Sequence, residues 1–347
     1  MKIAVDRNTY KVADNDDYIY LFDKESLKDL EKTKLKCYYY KNVDYADINL
    51  TDYDIECFKK ASIKDKDFNK LEKQNYKYAI IIPNYNNDHG DYKGKTYLRN
   101  SIESVLEQTY KNFELIIVDD CSDDTSVETI KSYKDDRIHL IQNKRKRRNG
   151  GSRNVGIDYA FDNLKFDYFC FLDSDDWWIN ENVLEKINSR LFDHDMLVMG
   201  AEMLFENGKT FKTFNEYKDY KEFFISEGKN GRIWCTAWCR VIKKDKIAYF
   251  CEDTMMEDRV WSYKVADNVD FNKVCNLKEI CYVWNRLNIT NSVSIVRNEY
   301  WDASAWCHIG HQLQMLKDLK HQEMKPIIED RIKKCINDCK KGIYQQN

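Results

Sequence analysis

Proline and glycine are scarce in this chain, at 2 and 11 of 347 residues. Long flexible or polyproline linkers are therefore not expected. Long apolar runs are missing too. The best stretches, such as Ala79–Pro83 and Leu115–Val118, are far too short to span a bilayer. Met1 to Tyr10 has no apolar segment behind a basic start, so no secretory leader is read there. A net charge of -3, from 56 basic and 59 acidic side chains, gives no global pull toward nucleic acid or an anionic surface. No Cys-x-x-Cys pair occurs among the 12 cysteines. Cys235/Cys239 and Cys335/Cys339 share an i, i+4 spacing but have no partner ligands close by, which argues against structural zinc. Several of the others sit inside apolar segments, as buried thiols of a reducing compartment do. The expectation is a cytoplasmic protein with no transmembrane segment, for which peripheral membrane contact stays open. Its oligomeric state is not written in the sequence.

The chain does have a hydrophobic content of 43% and enough length for one large or two modest cores. Residues 1–75 read as a small α+β accessory module, with strand-like runs at Tyr18–Phe22 and Cys37–Tyr40 around a helix-like Glu25–Lys32. At Tyr78 the pattern changes to continuous apolar runs of the kind buried on both faces of a sheet. Strands are expected at Tyr78–Pro83, Phe113–Val118, Arg137–Gln142 and Tyr168–Leu172. Between them lie a helix with Leu98, Ile102, Val105 and Leu106 on one stripe, one opened by a Thr125…Glu128 capping box, and one following Gly150-Gly151-Ser152. Val183–Phe192 reads as a further helix. This alternation implies an α/β fold with a mainly parallel sheet flanked by helices. Later, Met196–Phe205 and Lys278–Trp284 read as strands, and Tyr220–Glu227 and Asp258–Asp267 as helices. From about Tyr300 the chain reads as helical. The divisions expected are 1–75, 76–205, 206–295 and a helical segment 296–347.

In open parallel sheets, ligands bind beyond the carboxyl ends of the strands. Those ends carry Pro83-Asn84-Tyr85-Asn86, then Asp119-Asp120-Cys121-Ser122-Asp123-Asp124, then the basic run Lys144–Arg148 with Gly150-Gly151-Ser152-Arg153-Asn154, and finally Asp173-Ser174-Asp175-Asp176. Each has a duller explanation by itself: Asp-rich turns cap helices, and basic runs are commonly solvated loops. Their shared position at consecutive strand ends is what such explanations do not supply. An aromatic ring, carboxylates, an arginine and a helix N-terminus in one crevice suit a nucleoside diphosphate. Two carboxylates one residue apart can hold Mn²⁺ or Mg²⁺ through oxygen.

Residues 78 to about 180 resemble family 2 glycosyltransferases of the GT-A fold. The resemblance rests on Ile80-Ile-Ile-Pro-Asn-Tyr-Asn86, Ser104-Val-Leu-Glu-Gln-Thr-Tyr110, Phe113-Glu-Leu-Ile-Ile-Val-Asp-Asp120, Gly151-Ser-Arg-Asn-Val-Gly156 and Phe171-Leu-Asp-Ser-Asp-Asp176, in that order. It implies an inverting transfer of a sugar from a nucleotide-sugar, with uridine favoured as the nucleoside, and a metal ion, Mn²⁺ or Mg²⁺. It implies a donor side made by Pro83, Tyr85 stacking on the base, Asp119 and Asp120 at base or ribose, Arg153 at base or diphosphate, and Asp173 near ribose and metal. Asp175 is the implied metal ligand, with Asp173 beside it. The base that deprotonates the acceptor is placed in Glu257-Asp258, with Asp258 preferred; Glu252-Asp253 is a competing pair lacking the aromatic residue that Trp261 supplies three places after Asp258. Trp238 and Arg240, within Ala237-Trp238-Cys239-Arg240, are similar to an acceptor-side segment. Arg286 and Ser292–Ser294 resemble a late segment that closes over the diphosphate. Cys121 stands where glycine is common in the family, and Asn180 where proline is.

The implied acceptor is a growing glycan or a lipid-linked saccharide. An alternative acceptor is a modified DNA base, suggested by the Lys-, Asn-, Asp- and Tyr-rich composition and the basic run 144–148. A nucleotidyltransferase would normally carry a glycine-rich phosphate loop after its first strand, which Pro83-Asn84-Tyr85-Asn86 is not. A non-catalytic nucleotide-sugar-binding module would not need Asp175 and Asp258 together. The glycosyltransferase reading requires the loops of Asp120, Arg153 and Asp175 to meet at one edge of the sheet.

Overall fold

The computed structural model of the chain describes residues 2–4, 18–22, 37–40, 48–50, 75–145, 147–213, 236–252, 254, 257–287 and 299–341. It divides into two compact units, Met1–Asn75 and Tyr76–Asn347. In the first, β1 (Lys2–Ala4), β2 (Tyr18–Phe22), β3 (Cys37–Tyr40) and β4 (Ile48–Leu50) form a parallel sheet in sequence order. The aromatic runs read from sequence are thus β2 and β3. The expected helix at Glu25–Lys32 lies outside the described residues.

The second unit begins with β5 (Tyr78–Asn84), every residue of which is buried, and β6 (Phe113–Asp119), with only Glu114 less than buried. β7 (Ile138–Gln142) lies outside β6, and β8 (Tyr168–Phe171) lies on the other side of β5; all these pairs are parallel. The helices α1 (Tyr97–Leu106), α2 (Ser126–Ser132) and α3 (Arg148–Asn163) connect them. β9 (Trp177–Trp178) and α4 (Val183–Arg190) follow. The sheet then extends through β10 (Met196–Phe205), β11 (Thr210–Thr213), β12 (Arg240–Lys243) and β13 (Val274–Arg286), in the order β7-β6-β5-β8-β12-β10-β13-β9, with β11 beside β10. β12 runs antiparallel between β8 and β10, so the parallel order is interrupted there. β10 and β13 are again parallel, and β9 pairs antiparallel with β13. Between β12 and β13 comes α5 (Glu257–Asn268), and the described chain closes with α6 (Glu299–Met315) and α7 (Lys325–Lys340). No helix among the described residues is long and apolar enough to cross a membrane.

Two details of this sheet open the crevice. β8 stops pairing with β5 at Phe171 opposite Ile81, and the Ile81 carbonyl takes the Leu172 N–H as the last tie. By strand alternation Pro83 faces the same side, where β8 has turned away and no ladder donor is needed. Meanwhile α3 lies close on β5, because a Cβ at Gly156 would come within 2.7 Å of Ile81 Cγ2.

The structure corrects some local readings. Gly150, Gly151 and Ser152 do not precede a helix; they lie in the first turns of α3, which starts at Arg148. Thr125 makes no side-chain cap; its hydroxyl donates to Asp88 instead, at 2.7 Å, and Asp124 takes the Ser126 N–H. The strand expected over Lys278–Trp284 is longer, at Val274–Arg286. Tyr220–Glu227 lies outside the described residues.

Candidate functional site at the carboxyl edge of the sheet

The three loops do meet. Asp120 follows β6 and reaches the start of α3. One of its carboxylate oxygens accepts from Asn143 Nδ2 and the Arg147 N–H, both at 2.7 Å, and the other from the Arg148 N–H at 2.8 Å. The helix N-terminus read from sequence as an open anion site therefore already has an anion, supplied by the protein. Asp119, 1% exposed, is likewise engaged: it accepts from Asn84 Nδ2 at 3.0 Å and from the Ser122 hydroxyl and N–H. This acidic pair holds the ends of β5, β6 and β7 and the start of α3 in one frame. Cys121 next to it adopts φ 65°, the left-handed region that glycine enters without strain.

Ser152, Arg153 and Asn154 tie α3 to three different elements. The Ser152 hydroxyl accepts from Asn143 Nδ2 at 3.1 Å. Asn154 exchanges two hydrogen bonds with the Phe250 backbone, at 2.8 and 3.0 Å. Arg153, only 1% exposed, donates to Asp173 Oδ1 at 2.6 Å, Glu257 Oε1 at 3.0 Å and Asp258 Oδ1 at 3.2 Å. Gly150 permits this approach of α3 to the segment before α5, since a Cβ there would stand 2.8 Å from the Cys251 carbonyl oxygen. Arg147 adds a bidentate pair with Glu252. The competing acid Glu252 is thus paired, and Asp253 lies outside the described residues. Of the basic run, Lys144, Arg145 and Arg148 are exposed, and Lys146 is outside the described residues.

The electrostatics follow from this crowding. Burial alone would favour an uncharged Arg153, but Asp173, Asp258 and Glu257 hold it firmly protonated. Burial pushes the Glu257 carboxyl up, as does Asp258 beside it, and the Arg153 guanidinium opposes the shift. Burial pushes Asp258 up as well, opposed first by Arg153 and aided by Asp173, with the Ala237 N–H and Arg240 pulling it down. Asp175 stands exposed in the turn after β8, with part of the hydration of its carboxyl displaced by protein. That desolvation, and then the Asp173 charge, push it up to about 6, against His89 and Arg286.

Could these groups hold a metal? Among the described residues no cluster of three or more acidic, histidine or cysteine side chains forms a complete ion site. Asp173 and Asp175 are two like charges at an open cleft, and Asp173 has one oxygen engaged by Arg153. The pair fits a hard divalent ion only if bound ligand and water complete the oxygen shell.

Placement separates the other expected site residues. Pro83 is buried at the end of β5, and Tyr85 just beyond it is 41% exposed. Trp238 is 3% exposed and stacks on Tyr282 with centroids 4.2 Å apart, so its indole is packed inside the protein. Arg240 is fully buried with its guanidinium 5.6 Å from the Trp261 ring centre. Arg286 lies half-buried at the end of β13, over Trp284. Ser292–Ser294 lie outside the described residues. Sequence reading named Asp176 within the Asp173-Ser174-Asp175-Asp176 run without giving it a role, and missed Tyr282 and Asn285. Tyr282, 106 positions after Asp176, carried no local signal.

Known proteins resemble the chain in sequence and in fold. Residues 79–249 match the profile of Glycosyl transferase family 2. The UDP-Glc:alpha-D-GlcNAc-diphosphoundecaprenol beta-1,3-glucosyltransferase WfgD of Escherichia coli is 33% identical over 132 residues, which cover 38% of this chain and 48% of that protein. WfaP, an enzyme of the same description from the same organism, is 38% identical over 110 residues, 32% of this chain and 39% of that one. The chain thus spans about half the length, or less, of these curated relatives. Among solved structures, S. aureus TarS in complex with UDP-GlcNAc aligns with a TM-score of 0.52 at 19% identity, over 68% of this chain and 66% of that chain. With its ordered motifs, its sheet and its acidic carboxyl edge, the segment 79–249 belongs to glycosyl transferase family 2, and the fold that carries it is GT-A.

Proposed function

We propose that this chain transfers a sugar from a UDP-sugar to a hydroxyl group of a glycan or lipid-linked saccharide, with inversion at the anomeric carbon. The observation that carries the reading is Arg153, whose one buried guanidinium gathers Asp173 from the metal turn and Glu257 and Asp258 from the start of α5. A single displacement needs a proton acceptor near the attacking hydroxyl and charge stabilisation near the leaving diphosphate. Arg153 brings both sets of carboxylates within reach of one sugar ring. The UDP preference and the saccharide acceptor rest on the names of the E. coli relatives and on the UDP-GlcNAc held by the structural neighbour.

In this reading Asp258 takes the proton of the acceptor hydroxyl. The acceptor oxygen forms its bond to the anomeric carbon as the bond from that carbon to the diphosphate breaks. An elevated pKa makes Asp258 a stronger base than an ordinary aspartate, while Arg153 keeps enough of it ionised. Glu257 shares the guanidinium and helps orient it. Asp175 and Asp173 would hold Mn²⁺ or Mg²⁺, which when bound offsets charge growing on the departing diphosphate. Tyr85, exposed beyond β5, offers a face to the uracil ring. Since Asp119 and Asp120 are committed to the frame, their contribution to the donor is to shape its pocket; each retains acceptor capacity for a base or ribose group.

The test is a thermal-shift screen of nucleotide-sugars with Mn²⁺, followed by transfer assays to a GlcNAc-diphospholipid and to free oligosaccharides. A UDP-sugar is expected to raise the melting temperature, because it binds the folded state alone. Stabilisation by other nucleotide-sugars only, or by none, would overturn the UDP assignment. For Asp258→Asn the expected result is intact donor binding with transfer lowered by about 100-fold or more; transfer near the wild-type rate would remove Asp258 as the base.

A further inference from the structure

We propose that Tyr282 of β13 is a positioning residue for the acidic turn 173–176, which it grips from beneath through Asp176. This rests on the reading above of Asp173 and Asp175, and deepens it by assigning what sets their geometry. The Tyr282 hydroxyl donates to Asp176 Oδ2 at 2.7 Å and accepts from the Asp173 N–H at 3.2 Å. A phenol has one proton, and with the Asp173 N–H donating to its oxygen that proton is directed at Asp176. The other Asp176 oxygen accepts from the Asn285 N–H at 2.8 Å, and Asn285 Nδ2 donates to the Asp175 carbonyl at 2.9 Å. The backbone at 173 and 175 and the side chain of 176 are therefore all held by one strand. Ser174, the remaining member of the turn, is held by Asn87, whose Nδ2 donates to its hydroxyl.

The grip is rigid for reasons of packing. Tyr282 and Asp176 are 0% and 2% exposed, and Trp238 lies flat on the Tyr282 ring, 13° from parallel. Antiparallel pairing of Tyr282 with Trp178 and of Val283 with Trp177 fixes how far along β13 the phenol stands from the turn. Removal of the hydroxyl leaves a buried carboxylate oxygen and the Asp173 N–H without this partner, and the ties through Asn285, Ser101 and Asn87 do not replace either bond. Asp173 and Asp175 are open to the cleft by comparison, so their placement depends on the residues behind them. Ligands of a divalent ion depend in this way on the groups that orient them.

The experiment compares wild type with Tyr282→Phe and Asn285→Ala, both as full-length chains. Amide hydrogen exchange without ligand is expected to be selectively faster over residues 172–178 in Tyr282→Phe, by about 10-fold or more, with the rest of the sheet protected as before. In the transfer assay the Mn²⁺ concentration for half-maximal rate is expected to rise by about 10-fold, while kcat at saturating Mn²⁺ stays within about threefold. A tyrosine that only filled space would lower thermal stability without moving the Mn²⁺ dependence. Asn285→Ala, which leaves the Asn285 N–H in place, is expected to shift both readouts less and in the same direction, and it carries the test should Tyr282→Phe not fold. Unchanged exchange over 172–178, or an unchanged Mn²⁺ dependence in an active variant, overturns the proposal. If wild type transfers from no UDP-sugar, the functional reading fails, and the exchange experiment still decides whether the grip exists.

Discussion

A guanidinium withdrawn from water must find its counter-charges within the chain, and Arg153 finds three carboxylates from two segments. The arrangement is costly on both sides: the carboxylates repel one another and the arginine has lost its hydration. Arg153→Met is therefore expected to destabilise the fold by about 3–5 kcal/mol, since it leaves Asp173, Glu257 and Asp258 facing each other with no cation. Chemical denaturation at neutral pH measures this; a loss below about 1 kcal/mol would show that the cluster does not depend on its arginine. The same residue shows how far sequence reading goes. Its motif, Gly151-Ser-Arg-Asn, marked Arg153 as part of the site, but gave it base or diphosphate as its partner. Of its carboxylate partners, Asp173 stands 20 residues later and Glu257 and Asp258 104 and 105 residues later, and no spacing along the chain announces these pairings. Asp120 was similarly assigned outward, to base or ribose, although it closes the N-terminus of α3.

At the scale of elements, α3 and α6 make contrasting contributions. α3 carries most of the ties that build the site, and it can do so because Gly156 lets it lie against β5. Gly156→Ala would place a methyl 2.7 Å from the branched Cγ2 of Ile81, which is fully buried and has no room to retreat. The expected cost is about 1–3 kcal/mol, with donor affinity falling as α3 moves. Equal stability and affinity of the alanine variant would show that helix and strand can part freely. α6 carries His308, fully buried. Burial, the Arg259 charge and His311 hold its imidazole down, at about 3. The unfolded chain takes up a proton at this residue below pH ~6.5, and the folded chain refuses it until near 3. Its sign is therefore acid destabilisation: stability contributed near neutrality is lost as pH falls through that window, by up to about 1.4 kcal/mol per pH unit. His308→Gln is expected to flatten the decline of melting temperature between pH 6.5 and 4. An unaltered slope would mean that other groups carry the acid sensitivity.

For the molecule as a whole, the division at Asn75 and Tyr76 makes a direct prediction. Every residue assigned here to chemistry lies in the second unit. Residues 76–347 expressed alone are expected to fold and to bind the UDP-sugar within about threefold of the full chain, as a compact unit with its own core should. Failure of that fragment to bind, with the full chain competent, would show that the first unit is needed for the donor site. The strand order also accounts for where the site opens. β8 leaves β5 at Phe171, and β12 then enters antiparallel, so the carboxyl edge is open beside the acidic turn and filled again by β13 behind it.

From the sequence by itself came the parallel strands β5, β6 and β8, because a run buried on both faces must be apolar throughout, and the edge at which chemistry gathers, because parallel strands all end on one side; β9, β11 and β12 were not read from it. The ordered motifs were legible for the same reason: each is contiguous, and its meaning survives without the rest of the chain. What each polar group does was decided only in three dimensions. Asp119, Asp120, Asp173, Asp175 and Asp176 are chemically the same side chain, and nothing in one dimension distinguishes a helix cap from a metal ligand or a buried anchor. Burial and the arrival of distant donors, Asn143, Arg153 and Tyr282, assign them different work, since a hydrogen bond depends on angstroms of approach that spacing along the chain does not specify.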